Sequence, residues 1–185
     1  MLAYVPEAYI SGVANRLGAI ALTLSDSIRD ATEAATGTAG GVPAALVSLH
    51  EWADGKSVDV LAEAMRVSHS RAVRVVDRLQ EEGLARREPD PGDGRRALVW
   101  LEPEGRELAR RALEARSKVL RSAVAQLDRH DMQQLERLVA ALLDTTTTDV
   151  RSARETCRLC DAHTCGHHTG ACPVTRAADR RRASA

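Results

Sequence analysis

The sequence predicts a mainly α chain that carries one short β-hairpin, and three observations lead there. Apolar residues recur at three- and four-residue steps through most of the 185 residues, the spacing that lines one face of a helix. Between Leu84 and Leu101 that rhythm stops, and a Pro/Asp/Gly-rich tip (Pro89 to Gly94) separates two short runs, the signature of strand, turn and strand. Just ahead of the hairpin, two short helical patterns are parted only by Arg66-Val67.

Taken in order, Pro6 to about Thr32 reads as a long helix. Its Ile10, Val13, Leu17, Ile20, Leu24 and Ile28 follow the spacing of a packing seam. Thr36 to Gly41 is a breaker loop. Pro43 opens a supporting helix with Ala45, Leu46, Leu49 and Trp52 inward; Trp52 is expected in the core, and His50 is a candidate for the wall of a small-molecule pocket. Ala53 to Lys56 reads as a turn. Val60, Leu61 and Ala64 give the next helix about two turns of apolar face. Ser68 is a suitable N-cap for the following one, in which Ala72, Val73, Val76 and Leu79 form the inner stripe. Gly83 then stands where a helix end favours a left-handed residue. After the hairpin, Glu104 to about Leu127 is one long helix, and Asp128 is an N-cap for another running from Asp131 to about Leu143. These last two read as an antiparallel pair.

The outer face of the helix after Ser68 carries His69, Ser70, Arg71, Arg74 and Arg78, and Arg95 and Arg96 stand at the hairpin tip. Short helix, turn, basic helix and basic hairpin make a winged helix-turn-helix, whose second helix enters the DNA major groove with its N-terminal end. Arginine reads guanine edges and neutralises phosphate, and a hairpin arginine reaches a neighbouring minor groove. Expected roles follow: Ser68, His69, Ser70, Arg71, Arg74 and Arg78 at the major groove, Arg95 in the minor groove and Arg96 on phosphate. Asp77 and Arg78 are also candidates to pair and orient the wing. Periodicity alone favours DNA binding over the alternative, a small helical core with a solvated basic face.

The stretch resembles the MarR family of bacterial transcription regulators. The resemblance is carried by Leu61-Ala62-Glu63, Ser68, Val75 to Leu79, Glu82-Gly83-Leu84, Arg86-Arg87, Asp90-Pro91, Asp93-Gly94-Arg95 and Leu101 to Arg106, and it extends loosely from about Tyr9 to Asp144. The family's Asp-x-Arg at the wing falls on Asp93 and Arg95. Its usual Leu-Thr before the next helix is Leu101-Glu102 here, so the threonine cap is missing. The resemblance implies an N-terminal dimerisation helix (1–35), a winged helix-turn-helix (43–101), C-terminal dimerisation helices (104–144) and, outside the family core, a Cys-rich tail (145–185). It also implies a homodimer acting, more as repressor than activator, on an inverted repeat with half-sites about one helical turn apart, and a small-molecule effector between the lobes.

Composition bounds the rest. Lys and Arg total 26 against 26 Asp and Glu, so the net charge is zero and positive charge must be local. No phenylalanine is present and aromatics make up 2%, which argues against single-strand recognition by stacking. The N-terminus lacks a basic-then-apolar signal, and no apolar run reaches a membrane span, so a cytoplasmic protein is expected. No Gly-rich nucleotide loop or Ser-His-Asp arrangement accompanies the cysteines, so an enzyme, such as a thiol oxidoreductase, is not expected. A zinc-dependent interaction adaptor is the other alternative.

All four cysteines lie in the tail: Cys157, Cys160, Cys165 and Cys172, spaced C-x2-C-x4-C-x6-C, with His163, His167 and His168 between them. In a reducing compartment such a group binds metal or senses redox state rather than forming structural disulfides. A structural zinc ion, on four thiolates or on three and a histidine, is the first expectation. An iron–sulfur cluster and a metal-free thiol switch are the alternatives. Arg176 to Ala185, with four arginines, is expected to be disordered and to add non-specific phosphate contacts.

Overall fold

The computed structural model describes residues 5–184, apart from the side chains of residues 94 and 95. Eight helices and three short strands follow in the order α1 Glu7–Thr36, α2 Val42–Ser48, β1 Lys56–Ser57, α3 Val58–Met65, α4 His69–Glu81, β2 Ala85–Asp90, β3 Asp93–Leu101, α5 Pro103–Val124, α6 Arg129–Thr146, α7 Val150–Cys157 and α8 Pro173–Ala183. Helix α2 runs on into a π-helical stretch, Leu49–Ala53. The chain is mainly helical around a three-stranded antiparallel sheet of order β1-β3-β2. Among the described residues no helix is long and apolar enough to cross a membrane.

The core sits in the central third. Leu46, Leu49, Leu61, Val76, Leu79 and Val99 are fully buried, with Leu101 beside them. They come from α2, its π-helical extension, α3, α4 and β3, so α4 is fixed from behind by side chains each contributing about 1.5–3 kcal/mol. The four inward positions of α4 are Ala72, Val75, Val76 and Leu79. Leu79 and Val76 confirm the expected stripe, while Val73 is only half-buried and Val75 takes the inner place. Gly83 adopts φ +69°, and Leu84 N–H closes back onto Leu79 O at 2.7 Å.

The hairpin pairs Ala85 with Leu101 and Arg87 with Val99, with an irregularity at Pro89/Asp90. A third strand lies where the sequence reads as a turn: Lys56 pairs with Val99 and Ser57 with Leu98. Two residues are too few to show a period of two, so only the neighbouring strand reveals them. Asp54 explains the position of this edge. Its carboxylate accepts from Leu101 N–H at 2.8 Å and pairs with Arg106 of α5, tying the π-helical stretch, β3 and α5 together.

Helix α5 starts hard against the hairpin. Glu102 N–H donates to Leu84 O at 3.0 Å, and a Cβ on Gly105 would lie 2.1 Å from that same carbonyl oxygen and 3.0 Å from Leu101 Cδ2. Only glycine permits this approach without moving backbone. Gly105→Ala is therefore expected to cost about 1–3 kcal/mol, as overpacking does, and to lower the urea midpoint. An unchanged midpoint would show that α5 is free to shift away. Glu102 caps α5 without a side-chain hydrogen bond, as the missing threonine implies, and Pro103 opens the helix instead.

The long helices pair differently from expectation. Helix α5 packs along α1, whereas α6 does not pack along α5 and meets α8. Among the described residues the apolar stripe of α6 is left largely uncovered: Leu135 and Leu143 are half-buried, and Met132, Leu138, Val139 and Leu142 are exposed. Tyr9, Ile10, Val13, Leu17 and Ile20 of α1 are exposed likewise. Asp128 caps α6 by accepting from Asp131 N–H at 2.8 Å. The helix runs past the expected break at Thr145, because the hydroxyls of Thr145, Thr146 and Thr147 turn back onto carbonyls of the preceding turn.

Of the segment expected to be disordered, Ala185 lies outside the described residues and the residues up to Ala183 belong to helix α8. Pro173 starts it, and Val174, Ala177 and Ala178 are buried. Arg180 pairs with Asp144, and Arg181 donates to Asp144 O at 3.0 Å. The arginine-rich composition hid an apolar face of three small residues.

Candidate nucleic-acid interface and thiol-rich tail

Helix α4 presents its N-terminal half to solvent. Ser68 caps it, accepting from Arg71 N–H at 3.3 Å, and its hydroxyl lies 3.1 Å from that of Ser70. Arg71 and Arg74, three residues apart and so on one face, are both exposed. Neither takes part in an ion pair with the described residues, unlike other cations nearby. Arg78 pairs with Glu82 at 2.7 Å. His69 Nδ1 lies 2.6 Å from Asp59 of α3. Arg96 pairs with Asp93 at 3.3 Å. The structure thus gathers Ser68, Ser70, Arg71 and Arg74 at one helix end, ties His69 to the preceding helix, and engages Arg78 further along. Arg95 is expected to read the minor groove, and its side chain lies outside the described residues.

The wing is held by a residue that periodicity did not single out. Arg87 of β2 donates to Asp77 at 2.6 Å, to Gln80 at 2.7 Å and to the Val73 carbonyl at 3.3 Å. Asp77 therefore orients the wing through Arg87, not through its neighbour Arg78. One guanidinium fixes the base of the hairpin against the back of α4. The signal lay in strand alternation: Arg86 points out over Trp100, its guanidinium 5.9 Å from the ring, so Arg87 must point in.

The tail is the second constellation. Helix α7 begins with a capping box, Asp149 accepting from Ser152 N–H at 2.7 Å while the Ser152 hydroxyl serves Asp149 N–H. That hydrogen bond holds the Asp149 carboxyl below the usual range. Arg154 then pairs with Glu63 of α3 at 2.5 Å, and Arg66 with Glu155 at 3.2 Å. Ser48 donates to Arg158 O at 3.2 Å, and Ala162 N–H to Glu51 at 2.7 Å. All four cysteines are free, Cys172 buried and the others half-buried. Cys160 has the Cys157 thiol beside it, and Arg116 of α5 reaches its sulfur at 3.9 Å; together they pull its thiol down to about 6, while Cys157 is pushed up by Cys160 and by burial. Burial, with Cys172 nearby, pushes Cys165 up to about 11. Among the described residues no three His, Cys, Asp or Glu side chains already stand in the arrangement of a metal site.

Among the described residues His50 lines none of four cavities of about 220 to 710 Å³. Its Nδ1 is buried with no hydrogen-bond partner among the described residues, as is the indole N–H of Trp52. A cleft of about 650 Å³ instead opens between α1, α2, α5 and the tail, with Leu24, Ile28, Pro43, Arg116 and Leu120 on its walls.

The MarR family matches residues 45–96, the span from α2 to the hairpin. A probable transcriptional regulator from Pseudomonas aeruginosa is 30% identical, with a TM-score of 0.54 over 70% of this chain and 98% of that one. The chain belongs to the MarR family. The transcriptional regulator HosA from Escherichia coli O111:H- is 29% identical over 84 residues, 45% of this chain; the match spans 62% of HosA, less than two thirds of its length. Sco3205, a MarR family regulator from Streptomyces coelicolor solved in complex with DNA, shares the fold: TM-score 0.60 at 22% identity, over 78% of this chain and 91% of that one. This MarR chain is longer than its P. aeruginosa relative, and part of it has no counterpart there.

Proposed function

We propose that this MarR chain is a homodimeric repressor that binds an inverted-repeat operator in double-stranded DNA. The observation that carries the reading is the pair of uncommitted arginines, Arg71 and Arg74, one turn apart on the exposed, Ser68-capped end of a helix whose other face is locked into the core. A helix end of that kind enters the major groove, its cations serving guanine edges and phosphates. The bare apolar stripes on α1 and α6 suit a second copy, because helical faces of this size do not stay in water. Arg96 then lies near a flanking phosphate, and Arg95 reads the adjacent minor groove. The cleft between α1, α2 and α5 suits an amphipathic effector with an acidic group for Arg116. An effector there acts on the angle between the lobes and hence on half-site spacing. A cytoplasmic location follows from this role.

Selection of bound duplexes from a random library with the full chain tests this. The expected product is an inverted repeat whose half-sites lie about 10 bp apart or a multiple of that, with affinity falling steeply as salt rises. Failure to enrich any duplex, or binding indifferent to salt, would leave the interaction-adaptor reading in its place.

A further inference from the structure

The thiol-rich tail carries chemistry that DNA reading does not use. Its backbone delivers four sulfurs from four separate points. Cys157 ends α7. Cys160 follows one turn later, its N–H donating to Cys157 O at 2.9 Å. Cys165 stands before Gly166, whose φ of +75° turns the chain back so that His167 N–H reaches Ala162 O at 3.0 Å. Cys172 N–H donates to Gly166 O at 3.3 Å, and the residue directly precedes Pro173, the first of α8. Cys157, Cys160 and Cys165 border a cavity of about 220 Å³ whose other walls include Trp52, Val174 and Ala178. Cys172 is 4% exposed and close enough to act electrostatically on both Cys157 and Cys165. Arg116 and Arg158 supply positive charge on the Cys160 side.

Four thiolates gathered in a half-buried site repel one another and lose hydration, so they exist as thiolates only around a cation. The size of the space separates the cations. A single zinc ion draws its sulfurs to within about 2.3 Å of one point, whereas here Cys157, Cys160 and Cys165 line a cavity and no three metal-binding side chains among the described residues converge as a mononuclear site requires. A cluster is held at its corners, each thiolate on its own iron, around an inorganic core. We propose that Cys157, Cys160, Cys165 and Cys172 hold an iron–sulfur cluster, and that the cluster fixes the tail as a strap across the lobes of the molecule.

The strap's anchorages include Arg180 on Asp144 of α6, Arg154 on Glu63 of α3, Glu51 beside the supporting helix on Ala162 N–H, and Arg116 of α5 on Cys160. It therefore spans the long helices and the helix next to the reading helix, with the thiols at its centre. The regulatory meaning of the strap rests on the repressor reading; the site itself does not.

The test is anaerobic purification of the full chain, followed by incubation with ferric iron, sulfide and a thiol that reduces part of the iron to the ferrous state. The expected product is brown, holds iron and acid-labile sulfide in equal amounts, and loses both in Cys160→Ser and in Cys172→Ser. Loading is also expected to slow amide hydrogen exchange along α7 and α8. A colourless chain with one zinc that takes up no iron overturns the proposal, as does a metal-free chain with four titratable thiols. Salt-dependent DNA binding, measured on the same preparations, separates the two readings. DNA binding without a cluster refutes the cluster alone, and a cluster without DNA binding refutes the repressor alone.

Discussion

Arg74→Ala is expected to weaken operator binding by about 1–3 kcal/mol, and Arg71→Ala by a similar amount, roughly 5- to 150-fold each. Both side chains are exposed and unpaired among the described residues, so neither spends its charge within the protein and removing either leaves no orphaned acidic partner. The urea midpoint should hold while affinity falls. Whether each arginine serves a phosphate or a base can be read from the salt dependence. An arginine that serves a phosphate, once replaced, flattens the slope of log affinity against log salt by about 0.9, and affinity falls equally on every sequence. Replacing one that serves a base keeps most of the slope and relaxes preference at one operator position. Arg78→Ala is the internal comparison: Arg78 is bound by Glu82 at 2.7 Å, and its guanidinium must break that pair to reach DNA. If Arg71→Ala and Arg74→Ala both leave affinity unchanged, α4 is not the reading helix.

The difference between those arginines marks the reach of local sequence rules. The helix, its cap and its inner stripe were legible because each rests on such rules. Ser68 bonds three residues ahead, the apolar positions recur with the helical period, and Gly83 supplies a left-handed residue at the end. The central motif also carried the family resemblance. What a guanidinium does once folded is decided by residues far along the chain. Arg87 meets Asp77 across the turn from α4 into β2, and Asp54 meets Arg106 across 52 residues; no period records such a meeting. The same limit applied at the tail. Its C-terminal arginines looked like a solvated charge run, yet Arg180 closes onto Asp144 and Ala177 is fully buried. The strand at Lys56–Ser57 was too short for alternation to show. Reading α5 and α6 as a pair failed for a different reason: their apolar stripes are real, but among the described residues α6 leaves most of its stripe uncovered.

That uncovered stripe gives the other large effect. Leu17→Glu and Leu138→Glu are each expected to convert the protein to a monomer and to lower apparent operator affinity by about 10²- to 10⁴-fold, the size of the advantage that linking two binding modules confers. Leu17 is 48% exposed on α1 and Leu138 50% exposed on α6, so a carboxylate at either position costs the single chain little. Buried against a second copy, an unpaired charge would be expensive to desolvate. The substitution therefore acts on association and spares the fold, which sedimentation and circular dichroism read separately. Leu22 supplies the control. It is 70% exposed but stands two residues from both Ile20 and Leu24, on the opposite side of α1 from the seam. Leu22→Glu should leave both dimer and affinity in place. A Leu17→Glu protein that remains dimeric would place the subunit contact elsewhere, and a Leu138→Glu monomer that kept full operator affinity would mean that one reading head suffices, which the inverted-repeat mechanism does not allow.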